Sequence, residues 1–166
     1  MSPRSIVLAA SVVFAAVLLV RWQVVAPVRV DGASMCPTLW PGELALLRKT
    51  GAAPHPGDIV ALSRPGEPAS IKRVVAVGGE VVDVRDAVLF VDDVAVPEPF
   101  VDRRLIDALY FGPVTVPADE LFVLGDARHT SIDSRQYGPV PVSAVTGVVL
   151  RGLGGGDRAG CASGPS

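Results

Sequence analysis

The chain begins with one uninterrupted apolar run and then changes to short apolar runs broken every few residues by Gly, Pro or Asp. No residue from Ser5 to Val20 is charged. As a helix rising 1.5 Å per residue this stretch is about 24 Å long, and Arg21 to Ala26 carries it toward the ~30 Å of a hydrocarbon core. Arg21 can snorkel to the headgroups, and the amphipathic ring of Trp22 suits the membrane interface. Residues 1–26 are therefore predicted as a membrane anchor. A removable signal peptide is the competing reading. Its best small-residue site is Val24-Val25-Ala26, where Pro27 would stiffen the segment that must extend for cleavage. Arg4 lies on one side of the run and Arg21 and Arg29 on the other, so charge leaves the orientation open.

Beyond Pro27 the short runs are rich in Val and bounded by turn formers, the signature of strands. Strands are predicted over Glu43–Lys49, Asp58–Ser63, Ser70–Val77, Val81–Val84, Ala87–Val91, Val94–Val96, Glu120–Leu124 and Val145–Arg151. Arg85-Asp86 and Asp92-Asp93 read as tight hairpin connections. Pro97 to Asp119 is irregular and reads as an excursion, and the Gly-rich residues 154–166 read as a flexible tail. The expected fold is mainly β, an antiparallel sheet or barrel-like catalytic domain over residues 27–153 with one N-terminal transmembrane helix.

Composition removes several function classes. The 15 Lys and Arg against 17 Asp and Glu give a net charge of −2, without the basic surface that phosphate neutralisation needs. Nucleic acid is not an expected partner. Two histidines without metal-ligand spacing point to no metal site, and no cofactor is called for. The two cysteines, Cys36 and Cys161, could pair outside the cytoplasm. Nothing local positions Cys161 in its Gly-rich surroundings, so the unpaired form is favoured.

Three segments carry candidate chemistry. In Asp31-Gly-Ala-Ser-Met-Cys-Pro-Thr-Leu39 the small residues Gly32 and Ala33 let another backbone approach Ser34, and Pro37 sets the turn that follows. The second segment contains Lys72, one of only two lysines beside 13 arginines. An arginine cannot release its proton at usable pH whereas a lysine can, so a lysine kept in an apolar strand suggests a need for the neutral amine. An edge-strand lysine that discourages aggregation is the plainer alternative. The third segment, Gly125 to Val140, is a dense polar loop in which Asp133 and Arg135 could form a bracing pair.

Together these segments resemble the bacterial type I signal peptidases, membrane-anchored serine proteases with a Ser/Lys dyad. The resemblance rests on Ser34-Met-x-Pro-Thr-Leu39, Gly57-Asp-Ile-Val60, Ile71-Lys-Arg-Val-Val75 with Gly78-Gly79-Glu80, and Gly125-Asp126 with Ser131-x-Asp-Ser-Arg135. It implies that Ser34 is the nucleophile and Lys72 the general base. By the same matching Ser131 would orient the amine, Asp133 and Arg135 would brace its loop with Asp126 in support, and Arg73 would be structural. The Ser34 N–H would donate to the oxyanion. Gly32 stands where some relatives carry a hydroxyl donor, so a second donor is either a backbone N–H or absent. Ala127 stands where the family has Asn.

The resemblance also implies secreted precursors with small residues at the cleavage site as substrates, membrane lipid as a partner, and a catalytic domain outside the cytoplasm. An extended precursor segment would add to a strand edge, with Asp31, Ala33, Met35 and Ile71 lining its path. The strand bearing Lys72 and the segment before Ser34 are the expected edges. Leu39 and Trp40 are either core residues or dip into the bilayer surface. A Ser34/His129/Asp triad and a Cys36 nucleophile are rival chemistries. At the level of function, the rivals are a maturation protease dedicated to one precursor and a non-enzymatic anchored β domain.

Overall fold

The computed structural model describes residues 25–49, 53–106 and 109–161. In chain order the strands are β1 (Val25–Arg29), β2 (Leu44–Arg48), β3 (Ile59–Leu62), β4 (Ser70–Val77), β5 (Val81–Arg85), β6 (Val88–Val91), β7 (Val94–Ala95), β8 (Phe111–Thr115), β9 (Glu120–Leu124), β10 (Val140–Pro141) and β11 (Val145–Gly152), with one short helix, α1 (Ser134–Tyr137). They form a seven-stranded sheet in the order β1-β2-β11-β3-β4-β9-β10 and a four-stranded sheet in the order β7-β6-β5-β8. All pairings are antiparallel. The larger sheet has two ends, β1 and β10, so among the described residues it is open rather than a closed barrel. No described helix is long and apolar enough to cross a membrane, and the Ser5–Val20 run lies outside the described residues.

Each predicted run becomes a strand, because Val-rich alternation favours a pleated, half-buried surface. The first hairpin turn moves by one residue. Asp86 and Ala87, with φ of 49° and 60°, form it, and Asp92 and Asp93, at 49° and 63°, form the second. Two positive φ values in succession are what a two-residue turn between twisted strands demands. β1, β8 and β10 are not among the predicted strands, and β1 takes Val25 and Ala26 out of the predicted 1–26 anchor by pairing them with Arg48 and Leu47 of β2. Gly112-Pro113 interrupts the alternation of β8, which pairs with β5, and β10 is only two residues long.

Three apolar clusters fix the layers. Val75, Ala76, Val82, Val84, Leu89 and Phe122 weld β4 and β9 to the smaller sheet. Val60, Leu62, Val74, Leu121, Val123 and Val140 fill the body of the larger one. The register shift between Val74 and Ala76 explains how β4 can bury Val74, Val75 and Ala76 in succession and so serve both clusters. The third cluster, Val30, Met35, Leu39 and Ala45, lies under the turn that carries Ser34.

Candidate active site

The Ser34 turn is built from below and from both sides. Met35 and Leu39 are 1% and 2% exposed and anchor it in the core, while Gly32, at φ +76°, reverses the chain before it with a backbone that side chains rarely adopt. Met35 therefore supports the turn from beneath, and Leu39 is core and cannot dip into a bilayer. The Ser34 carbonyl accepts from Ala127 N–H at 3.1 Å, which joins the turn to the polar loop after β9.

Lys72 stands on β4 opposite Val60 of β3. It is 5% exposed, and its Nζ donates to Ser34 Oγ at 2.9 Å. Burial pushes its pKa below the ordinary lysine value. The Asp133 carboxylate opposes that shift, and the Arg64 and Arg135 guanidiniums add to it. The sheet thus brings residues 38 positions apart into hydrogen-bonding distance with the amine biased toward its neutral form.

Arg73, the next residue, points to the other face of β4. Its Nε and Nη2 grip the buried Asp126 carboxylate at 2.8 and 2.6 Å, and Asp126 also accepts from Thr38 Oγ1. This pair ties β4, the Ser34 turn and the polar loop together, and Arg73 further stacks on the Phe100 ring at 4.1 Å. The other brace is Asp133 with Arg135. Asp133 is fully buried, caps α1, and accepts from Gly125 N–H at 3.0 Å and from Arg135 Nε at 2.9 Å. Arg135 in turn donates to the Arg128 and Ser131 carbonyls.

Ser131 packs against Gly125. A Cβ added at Gly125 would lie 2.2 Å from Ser131 Oγ and 2.6 Å from the Ser34 carbonyl, so only glycine lets the loop close onto the Ser34 turn. The Ser131 hydroxyl is buried without a hydrogen-bond partner among the described residues, so its expected bond to Lys72 is not formed in this state. His129 is exposed, and the hydroxyl of Ser34 meets Lys72 instead. Asp31 and Gly32 are exposed, and Ala33 and Ile71 half-buried, beside the Ser34 turn and β4.

Three comparisons bear on identity. A sequence profile described as Signal peptidase, peptidase S26, matches residues 4–151. The chain belongs to this family. Signal peptidase I T of Bacillus subtilis (strain 168) is 37% identical over 133 residues, covering 71% of this chain and 67% of that one. Thylakoidal processing peptidase 1, chloroplastic, of Arabidopsis thaliana is 33% identical over 145 residues, covering 78% of this chain and 42% of that relative, so the match spans less than half its length. The crystal structure of a signal peptidase I from Enterococcus faecalis V583 superposes with a TM-score of 0.52 at 30% identity, covering 60% of this chain and 98% of that one. Membership makes the chain a hydrolase of the serine endopeptidase class.

Several features beside the family boxes escaped the sequence. Cys36 and Cys161 form a disulfide, contrary to the favoured unpaired form. The segment leading to Cys161 is pinned rather than loose, for Gly154 N–H donates to Glu43 Oε1 and Asp157 N–H to the Pro41 carbonyl. It covers Trp40, whose ring has the Arg158 guanidinium 5.4 Å from its centroid, so Trp40 is half-buried rather than plain core. Arg128, 5% exposed, pairs with Glu98 and fastens the 97–119 excursion to the site loop. Finally, β4 as a whole is an internal strand rather than an edge. Its pairing with β9 starts only at Arg73, however, leaving Ser70–Lys72 without a strand partner on that side among the described residues. Glu98 and Cys161 carry no local signal, since each partner lies far away in sequence.

Proposed function

We propose that the chain is a membrane-anchored signal peptidase I that removes N-terminal signal peptides from secreted precursors, with Ser34 as nucleophile and Lys72 as general base. The observation that carries this reading is the 2.9 Å contact between a buried Lys72 Nζ and Ser34 Oγ. A solvated lysine, with a pKa of ~10.4, is neutral in only about one molecule in 2500 at pH 7. Desolvation raises that fraction and so makes the amine a usable base.

In the proposed cycle neutral Lys72 takes the Ser34 proton as Oγ attacks the scissile carbonyl. The oxyanion is met by the Ser34 N–H. Collapse expels the leaving amine with the proton from Lys72, leaving an ester on Ser34 and a neutral lysine. Water then attacks the ester while Lys72 accepts its proton, and that proton returns to Ser34 Oγ as the acid leaves. The loop braced by Asp133 and Arg135 holds Ser131 beside these groups, and Asp126 holds the turn through Thr38.

The edge that β9 leaves unpaired at Ser70–Lys72 and the segment Asp31–Ala33, exposed at Asp31 and Gly32, offer an extended precursor a place to add as a strand, with Ala33 and Ile71 lining its path. The apolar run that precedes β1 would anchor the enzyme beside tethered precursors. The disulfide supports a domain outside the cytoplasm, where such bonds persist.

The test is cleavage of several unrelated precursors by the full chain in detergent, with Ser34→Ala, Lys72→Ala and His129→Ala alongside. Loss in the first two and retention in the third is the expected pattern. Cleavage that survives Ser34→Ala, or loss only in His129→Ala, overturns the assignment. Cleavage of one precursor alone points to a dedicated maturation protease.

A further inference from the structure

The turn that presents Ser34 is held from outside by a segment far away in the chain. Cys36, two residues after Ser34, donates its N–H to the Ala33 carbonyl at 3.0 Å, so it belongs to the turn itself. Its sulfur is bonded to Cys161 across 125 residues, with the Cα atoms 5.8 Å apart. Between β11 and that bond, the chain wraps the far end of the same turn. Glu43, 6% exposed, accepts from Trp40 N–H through Oε2 at 2.9 Å and from Gly154 N–H through Oε1 at 3.0 Å. One carboxylate thus bridges the end of the turn and the returning segment. Asp157 N–H reaches the Pro41 carbonyl at 2.7 Å, and Gly156 lies so close over Trp40 that an added Cβ would sit 2.4 Å from its Cβ.

We propose that residues 153–161 form a clamp that positions Ser34 against Lys72, and that opening the Cys36–Cys161 bond slows turnover. The proposal rests on the Ser34/Lys72 reading above. Four of the nine clamp residues are glycine, so the free segment has large conformational freedom and little apolar surface to hold it in place. The disulfide is what keeps its hydrogen bonds at high effective concentration. A cleft of about 230 Å³ lined by Cys36, Pro37, Asp102, Ala127, His129 and Cys161 borders the bond and is the side from which a reductant would approach it. A dithiol would open it by two exchanges: one thiolate attacks a sulfur to form a mixed disulfide, and the second thiol displaces it. Two cysteine thiols and one oxidised dithiol result, a balanced two-electron transfer.

The clamp acts on geometry at the nucleophile, so its loss should appear in kcat. The full chain in detergent, oxidised or reduced with dithiothreitol, is compared with Cys161→Ser at a temperature where circular dichroism shows all forms folded. Reduction and Cys161→Ser should each lower kcat by about ten- to a hundredfold, the scale expected for sub-ångström to ångström misplacement, with KM changed less than about twofold. Reoxidation should restore the wild type, and Cys161→Ser should be indifferent to reductant. A looser turn admits water to Lys72, so the acid limb of the kcat/KM profile should move to higher pH, which lost stability alone would not do. Unchanged kcat in folded, reduced enzyme overturns the clamp. If Cys161→Ser does not fold, Glu43→Gln in oxidised enzyme decides: it keeps one of two acceptors, so a smaller fall in kcat is expected and no fall refutes the proposal. Inactivity of oxidised wild type, or activity in Ser34→Ala, fails the Ser34/Lys72 reading instead.

Discussion

Lys72→Met tests the central physical claim, that the fold holds an amine against its preference for charge. Methionine keeps the unbranched apolar stem and removes the titrating group. In the native state burial lowers the Lys72 pKa, while the unfolded chain titrates near the ordinary value. Between those two pKa values the unfolded state binds a proton that the native state does not, so stability rises with pH. The slope is about 1.4 kcal/mol per pH unit for one proton. Below the native pKa both states are protonated and the cost of burying the cation is constant. Above the unfolded pKa both are neutral and it vanishes. The stability advantage of Lys72→Met should therefore be greatest at low pH and shrink at that slope as pH rises through the window. Denaturant unfolding of both proteins in one detergent at a series of pH values measures it. The same variant should lose catalysis, since a general base contributes about 10²- to 10⁴-fold. A stability difference that is flat with pH, or that grows as pH rises, would refute the reasoning, as would retained turnover.

Asp126→Ala leaves the Arg73 guanidinium, 14% exposed, without its bidentate partner and frees Thr38. Breaking such a pair costs about 3–5 kcal/mol, visible as a lower unfolding midpoint, and kcat should fall with it. Gly125→Ala drives a methyl into Ser131 Oγ and the Ser34 carbonyl, so the enzyme should remain folded near room temperature yet lose about 100-fold in kcat. Ser131→Ala removes a buried hydroxyl that has no partner among the described residues, so its melting temperature should be unchanged or raised by the equivalent of about 1 kcal/mol. If the hydroxyl engages Lys72 once substrate is bound, kcat/KM of the same variant falls.

What the sequence determined by itself is whatever repeats or pairs over short range. Val-rich alternation marks eight strands because side chains on a pleat alternate every residue, and Asp-rich pairs mark turns because short polar side chains tolerate positive φ. The scarcity of lysine singled out Lys72, and Asp133 with Arg135 were legible as a brace because they are two residues apart. Tertiary structure decided everything that depends on which distant segments meet. The neutral bias of Lys72 depends on the strands that cover it, and the edge that β9 leaves unpaired at Ser70–Lys72 depends on where β9 turns away. Arg128 finds Glu98 thirty residues away, and Cys161 finds Cys36 across 125. A Gly-rich segment reads as mobile because its own residues offer little to bury. Here its order comes from Glu43, Trp40 and Cys36, partners that no local pattern records.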